Sequence, residues 1–109
     1  MVLTKVNLEY EEEKEAVKFR DVAVLPKLGD NVAVAIDVIP QGTPVELLDG
    51  SIVSLSHTVL EGHRFAVKRI DKDTGLYSWG MQFGTALKTI SPGEYIMNER
   101  GLKALSIAL

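Results

Sequence analysis

Apolar positions along this chain recur in one short phrase. Ile39-Pro40-Gln41-Gly42-Thr43-Pro44-Val45, Val59-Leu60-Glu61-Gly62-His63-Arg64-Phe65 and Ile90-Ser91-Pro92-Gly93-Glu94-Tyr95-Ile96 share a single layout. Each has an apolar residue, two spacers, a glycine, two more spacers and a second apolar residue. A run of β-formers ends, the chain turns at a residue free to take φ > 0, and a new strand starts. Between these turns the pattern predicts more strands. Val32-Ala33-Val34-Ala35-Ile36 is apolar throughout, as a strand covered on both faces would be. Thr43–Leu48 and Ser51–Leu55 flank Asp49-Gly50, a hairpin dipeptide. Phe65-Ala66-Val67, between basic flanks, reads as a central strand. Asp71–Gly75 reads as an exposed turn, and Leu76–Phe83 as one extended segment ended by Gly84.

The first 30 residues differ in texture. Val2–Tyr10 and Ala16–Leu25 are β-like around the charged stretch 11–15, which predicts a hairpin-like extension; a disordered acidic arm is the alternative. Pro26, Gly29 and Asp30-Asn31 punctuate before the next element. Residues 101–109 fit a short helix or a strand. The fold class expected is mostly β: a small, irregular, mostly antiparallel body over 31–109 with the extension 1–30 attached.

Composition narrows the function classes. At 109 residues and 46% hydrophobic, the chain fills one modest core, and 6% aromatics leaves that core to Val, Ile, Leu and Ala. Twelve Lys and Arg against 15 Asp and Glu give a net charge of −3, which argues against nucleic acid as the main partner. No apolar run approaches the roughly 20 residues that span a bilayer, so no membrane partner and a cytoplasmic location are expected. The absence of cysteine excludes disulfides, thiolate nucleophiles and Cys-ligated metals.

Two stretches carry a resemblance. The first is Asn31–Ala35, Ile39–Thr43 and then Glu61-Gly62-His63-Arg64-Phe65-Ala66-Val67; the second is Trp79-Gly80, Gly84-Thr85-Ala86 and Ile90–Glu94. Together they resemble the SAF (β-clip) domain of the altronate and galactarate dehydratases, which occurs at an enzyme's N-terminus or as a separate small subunit, also in sulfo-lyases. The resemblance covers about 31 to 94. It implies β-elimination from a sugar acid: a base removes the proton α to a carboxylate, a divalent metal, commonly iron, stabilises the enediolate, and a β-hydroxyl departs. It further implies a large dehydratase-type catalytic subunit as partner, with this domain contributing to its pocket. Family members often continue after the Gly-Glu pair with a histidine-rich stretch; here Tyr95–Arg100 contains none.

His63 is the leading catalytic candidate. It follows a turn glycine at the head of a strand and matches the family phrase; its pKa class suits proton transfer. Arg64 and Lys68, four apart, are expected on the same side of that strand as substrate-binding cations, with Arg64 shaped for a bidentate carboxylate contact. Gln82 is a candidate for ligand hydroxyls. His57 matches no motif and reads as a surface histidine, and Ser56-His57-Thr58 is no hydrolase triad. With two histidines and no cysteine, the chain alone does not offer a transition-metal site, so the divalent metal the resemblance implies, commonly iron, is assigned to a partner.

Two functions follow. One is the small subunit or accessory domain of a sugar-acid hydro-lyase, or of a related sulfo-lyase, active only with its large partner. The other is a stand-alone carbohydrate-binding or assembly module, with self-association as one of its outcomes.

Overall fold

A computed structural model describes residues 15–96. The first arm of the expected hairpin, Val2–Tyr10, lies outside the described residues, as do Met97–Arg100 and the tail from Gly101. The elements are β1 (Val17–Lys18), α1 (Phe19–Val22), β2 (Ala23–Val24), β3 (Val32–Ala35), β4 (Pro44–Glu46), β5 (Ile52–Ser54), β6 (Arg64–Ala66), β7 (Gly75–Ser78), β8 (Met81–Thr85) and β9 (Tyr95–Ile96). They form three small sheets, ordered β1-β4-β5, β2-β3-β6-β9 and β7-β8. Every pairing is antiparallel except β1 with β4. The mostly β expectation holds. No helix among the described residues is long and apolar enough to cross a membrane.

The repeated phrase builds the scaffold. Its glycines adopt φ of 80° (Gly42), 85° (Gly62) and 88° (Gly93). Each glycine N–H donates across to a strand carbonyl, that of Leu55, Ala35 and Ala66 respectively, at 2.8–2.9 Å. The next residue's N–H closes the turn on the carbonyl two before the glycine: Thr43 to Pro40, His63 to Leu60, Glu94 to Ser91. The opening apolar residues then pair as isolated bridges, Ile39 with Val59 and Ile70 with Ile90.

That last pair exposes a fourth copy. Ile70-Asp71-Lys72-Asp73-Thr74-Gly75-Leu76 makes the same turn with Asp73 at φ 71° in the glycine position. The Asp73 N–H donates to Ala86 at 2.8 Å and that of Thr74 to Asp71 at 3.1 Å. Aspartate is among the few residues that tolerate this region. The shift that carries Gly42 to Asp73 also carries Leu55 to Ala86, and the shift from Gly62 to Gly93 carries Ala35 to Ala66. The module is therefore an internal duplication, and the exposed turn at Asp71–Gly75 is one of its corners.

Two apolar clusters fill the body. One joins Phe19, Ala33, Ile39, Val45, Val59 and Phe65, with Phe19 edge-on to Phe65 at 6.3 Å. The other joins Val32, Ala66, Ile70, Leu76, Ile90 and Ile96. β3 and β6 contribute to both, so their successive residues are buried on alternate sides, as the unbroken apolar run at 32–36 predicts. Each large side chain so buried contributes about 1.5–3 kcal/mol.

Two local expectations are corrected. Ala16–Leu25 is not one strand: a helical turn at Phe19–Val22 separates two-residue strands and swings the buried Phe19 ring onto Phe65. Leu76–Phe83 is not one extended segment either. It folds back at Trp79 (φ 60°) and Gly80 (φ 74°), consecutive left-handed residues of the kind tight hairpins need. Tryptophan conceals that turn from a sequence reading. It is held from elsewhere: the buried Asp30 carboxylate accepts the N–H groups of Trp79, Gly80 and Lys27, each at 2.9 Å. Asn31 continues the clamp, donating Nδ2–H to the Gly75 carbonyl and accepting the Tyr77 N–H, both at 2.8 Å.

Candidate functional site

Gly62 delivers His63 to the surface at the head of β6, with its ring exposed. The β6–β9 register sets Phe65 opposite Tyr95. From there the Tyr95 ring reaches back over the turn, and its Oη lies 2.7 Å from His63 Nδ1. The two rings stack with centroids 5.9 Å apart and planes 28° apart. His57 lies against the same tyrosine, centroids 6.0 Å apart at 47°. Ser56 ties these together: its Oγ accepts the Tyr95 N–H and is 2.8 Å from His57 Nδ1. Both histidines of the chain thus flank one phenol.

Glu94 borders this group. Its Oε2 pairs with Lys88 Nζ at 2.7 Å and its Oε1 accepts the Ser91 N–H at 3.1 Å. Partial burial alone would raise its pKa. The Lys88 hydrogen bond, the Ser91 N–H and the charges of Lys88 and His57 outweigh it and hold the carboxyl below the ordinary glutamate range.

The other sequence candidates lie elsewhere. Arg64, half-buried, turns toward the β7–β8 hairpin, with its guanidinium carbon 4.7 Å from the Phe83 ring centre and Nε 3.4 Å from Ser78 Oγ. β6 ends at Ala66, so strand alternation no longer sets where Lys68 points. Lys68 lines a shallow apolar cavity of about 170 Å³ with Phe19, Leu47, Leu48, Val67 and Asp49. The two cations therefore serve different surfaces. Gln82 donates to the Gly84 carbonyl and Thr85 Oγ1 and meets the Tyr77 hydroxyl at 3.4 Å, so it braces its own hairpin.

Tyr95 and His57 are the residues the sequence reading passed over. The signal available was the repeat itself: strands that follow equivalent turns can pair, and pairing β6 with β9 brings Tyr95 beside His63. As to a metal, no three His, Asp or Glu converge among the described residues.

Comparison with known proteins agrees with this architecture. The profile of the altronate/galactarate dehydratase SAF domain matches residues 22–102, well over half the chain. The altronate dehydratase of Escherichia coli (strain K12) is 37% identical over 67 residues, a match covering 62% of this chain but only 13% of that enzyme. With its repeated glycine turns and this match, the chain belongs to the altronate/galactarate dehydratase SAF-domain family.

Proposed function

We propose that this chain is the SAF component of a hydro-lyase acting on a sugar acid such as altronate or galactarate, or of a related sulfo-lyase, and that it works in the cytoplasm beside a large catalytic partner. The observation that carries this is the exposed His63 held against Tyr95 at a corner of a family-matched module. An α-proton abstraction with loss of a β-hydroxyl needs groups that hold the carboxylate and protonate the departing oxygen. An imidazole fixed at a rim supplies such a group to a pocket completed by another polypeptide. The divalent metal of such eliminations, commonly iron, then belongs to the partner. Arg64, turned to the β7–β8 hairpin and against Phe83, is a second cation that this reading offers to a substrate carboxylate.

The test is reconstitution. The chain is mixed with a large dehydratase chain from the same source, and turnover of altronate and galactarate is followed. Activity should require the mixture, and His63→Ala should lower it by about 100-fold or more, the usual weight of a general acid or base. A mixture equally active with and without this chain would overturn the proposal.

A second reading, a carbohydrate-binding or assembly module without catalysis, is favoured by Trp79. It stands 65% exposed at the hairpin tip, where an indole can stack on a sugar ring. Light scattering with titration against aldarates and hexonates separates the two: self-association or sugar binding with no lyase partner supports the second.

A further inference from the structure

Both imidazoles meet a hydroxyl at Nδ1, and the direction of those hydrogen bonds decides what their outer edges can do. Ser56 Oγ accepts the Tyr95 N–H, and the acceptor in reach of its own proton is His57 Nδ1, 2.8 Å away. The Tyr95 phenol has one described partner, His63 Nδ1 at 2.7 Å. A neutral phenol facing a neutral imidazole is the stronger donor, and it gives its proton to the ring nitrogen.

We propose that Tyr95 and Ser56 are positioning residues. They hold His63 and His57 as the Nε2–H tautomer, so that each imidazole presents an N–H donor at its outer edge, the form in which His63 would meet an oxygen of a small hydroxy-carboxylate. The inference rests on the lyase reading for the identity of that ligand, but not for the tautomers. It also assigns His63 a direction of proton flow. With Nδ1 occupied and Nε2 protonated, His63 donates to a carboxylate or to the departing hydroxyl and is not the base that takes the α-proton. When the proton leaves Nε2, the phenol proton moves to Nδ1 across the 2.7 Å contact, so the ring stays neutral and Tyr95 is left as the phenolate until a proton from solvent restores it.

Tyr95 is the common wall, with ring centroids 5.9 and 6.0 Å from the two imidazoles, and its backbone N–H fixes Ser56 while its side chain fixes His63. Glu94, which borders this group, is engaged by Lys88 and by the Ser91 N–H.

Long-range 15N–1H spectra of the imidazoles in the full chain, taken at a pH where both are neutral, test this without any partner. Both histidines should appear as Nε2–H. Tyr95→Phe, which keeps the ring and removes the hydroxyl, should move His63 to a mixture of tautomers and leave His57 unchanged. Ser56→Ala should do the reverse, and Ser56→Thr should restore the wild-type pattern. In the mixture with the large chain, sodium altronate in excess should shift the His63 Nε2 resonance, and Tyr95→Phe should weaken that shift. An Nδ1–H tautomer for His63, a Tyr95→Phe spectrum unchanged at His63, or a His63 Nε2 resonance that altronate leaves unmoved in the mixture would each overturn the proposal. Fixed tautomers with a reconstituted enzyme indifferent to this chain would remove the lyase reading and leave the tautomer assignment standing.

Discussion

Asp30 and Gly80 are 50 residues apart in sequence and joined by a 2.9 Å hydrogen bond, from the Gly80 N–H to Asp30 Oδ1. The same buried carboxylate holds the Trp79 and Lys27 N–H groups. One side chain thus sets the hairpin tip against the segment leading into β3. Asp30→Ala should cost about 2–3 kcal/mol, since it removes a charged acceptor and leaves three N–H groups without it. Urea unfolding measures the loss, and the β7–β8 amides should lose hydrogen-exchange protection first. An unchanged midpoint would mean the hairpin docks by its apolar residues alone.

Gly62 and Gly93 occupy equivalent corners but should not tolerate alanine equally. A Cβ on Gly62 would meet nothing within 4 Å, whereas on Gly93 it would lie 2.6 Å from the Ser54 carbonyl oxygen and 3.2 Å from Val53. Gly62→Ala therefore carries only the left-handed backbone penalty, about 1–2 kcal/mol. Gly93→Ala adds roughly 1–3 kcal/mol of overpacking. Denaturant midpoints for the two variants should fall in that order.

Asp73 stands where the sister corners have glycine. Asp73→Asn should leave stability within about 0.5 kcal/mol, because asparagine also accepts φ > 0. Asp73→Val, β-branched, should cost more than 1 kcal/mol. Thermal melts of both variants check this, and equal melting would remove the corner from the repeat.

Glu94 links the site to acid stability. Its carboxyl is held below the ordinary glutamate range when folded, so the unfolded chain binds the proton first as pH falls. The stability it contributes is present above an unfolded pKa near 4.5 and is lost as pH drops through the lower folded value. The gap in stability between wild type and Glu94→Gln should be constant near neutrality and close below pH 4.5. A gap that persists in acid would show that the side chain acts by shape.

Much of this was legible in the sequence. The three glycine phrases announce themselves because φ > 0 without a Cβ leaves few residue choices, and the Asp49-Gly50 hairpin follows the same chemistry. The apolar run at Val32–Ile36 shows two-sided burial directly. The fourth corner was hidden because Asp73 fills a left-handed site without the usual letter, and the Trp79-Gly80 turn because Asp30 supports it from a distance no local pattern records. The site followed the same divide. His63 was legible from the glycine before it. Tyr95 and His57 were not, because their meeting depends on strand register and on a serine hydroxyl, and Lys68 parts from Arg64 because the strand stops at Ala66.

β6 pairs with β3 on one side and β9 on the other, and the shift that lays β3 on β6 lays β6 on β9. The duplicated halves therefore hold their middle strand in common instead of each owning a full set. Neither can be excised as an autonomous fold, and unfolding should be a single cooperative event. Any change at the head of that strand, where His63 sits, is felt by both halves at once.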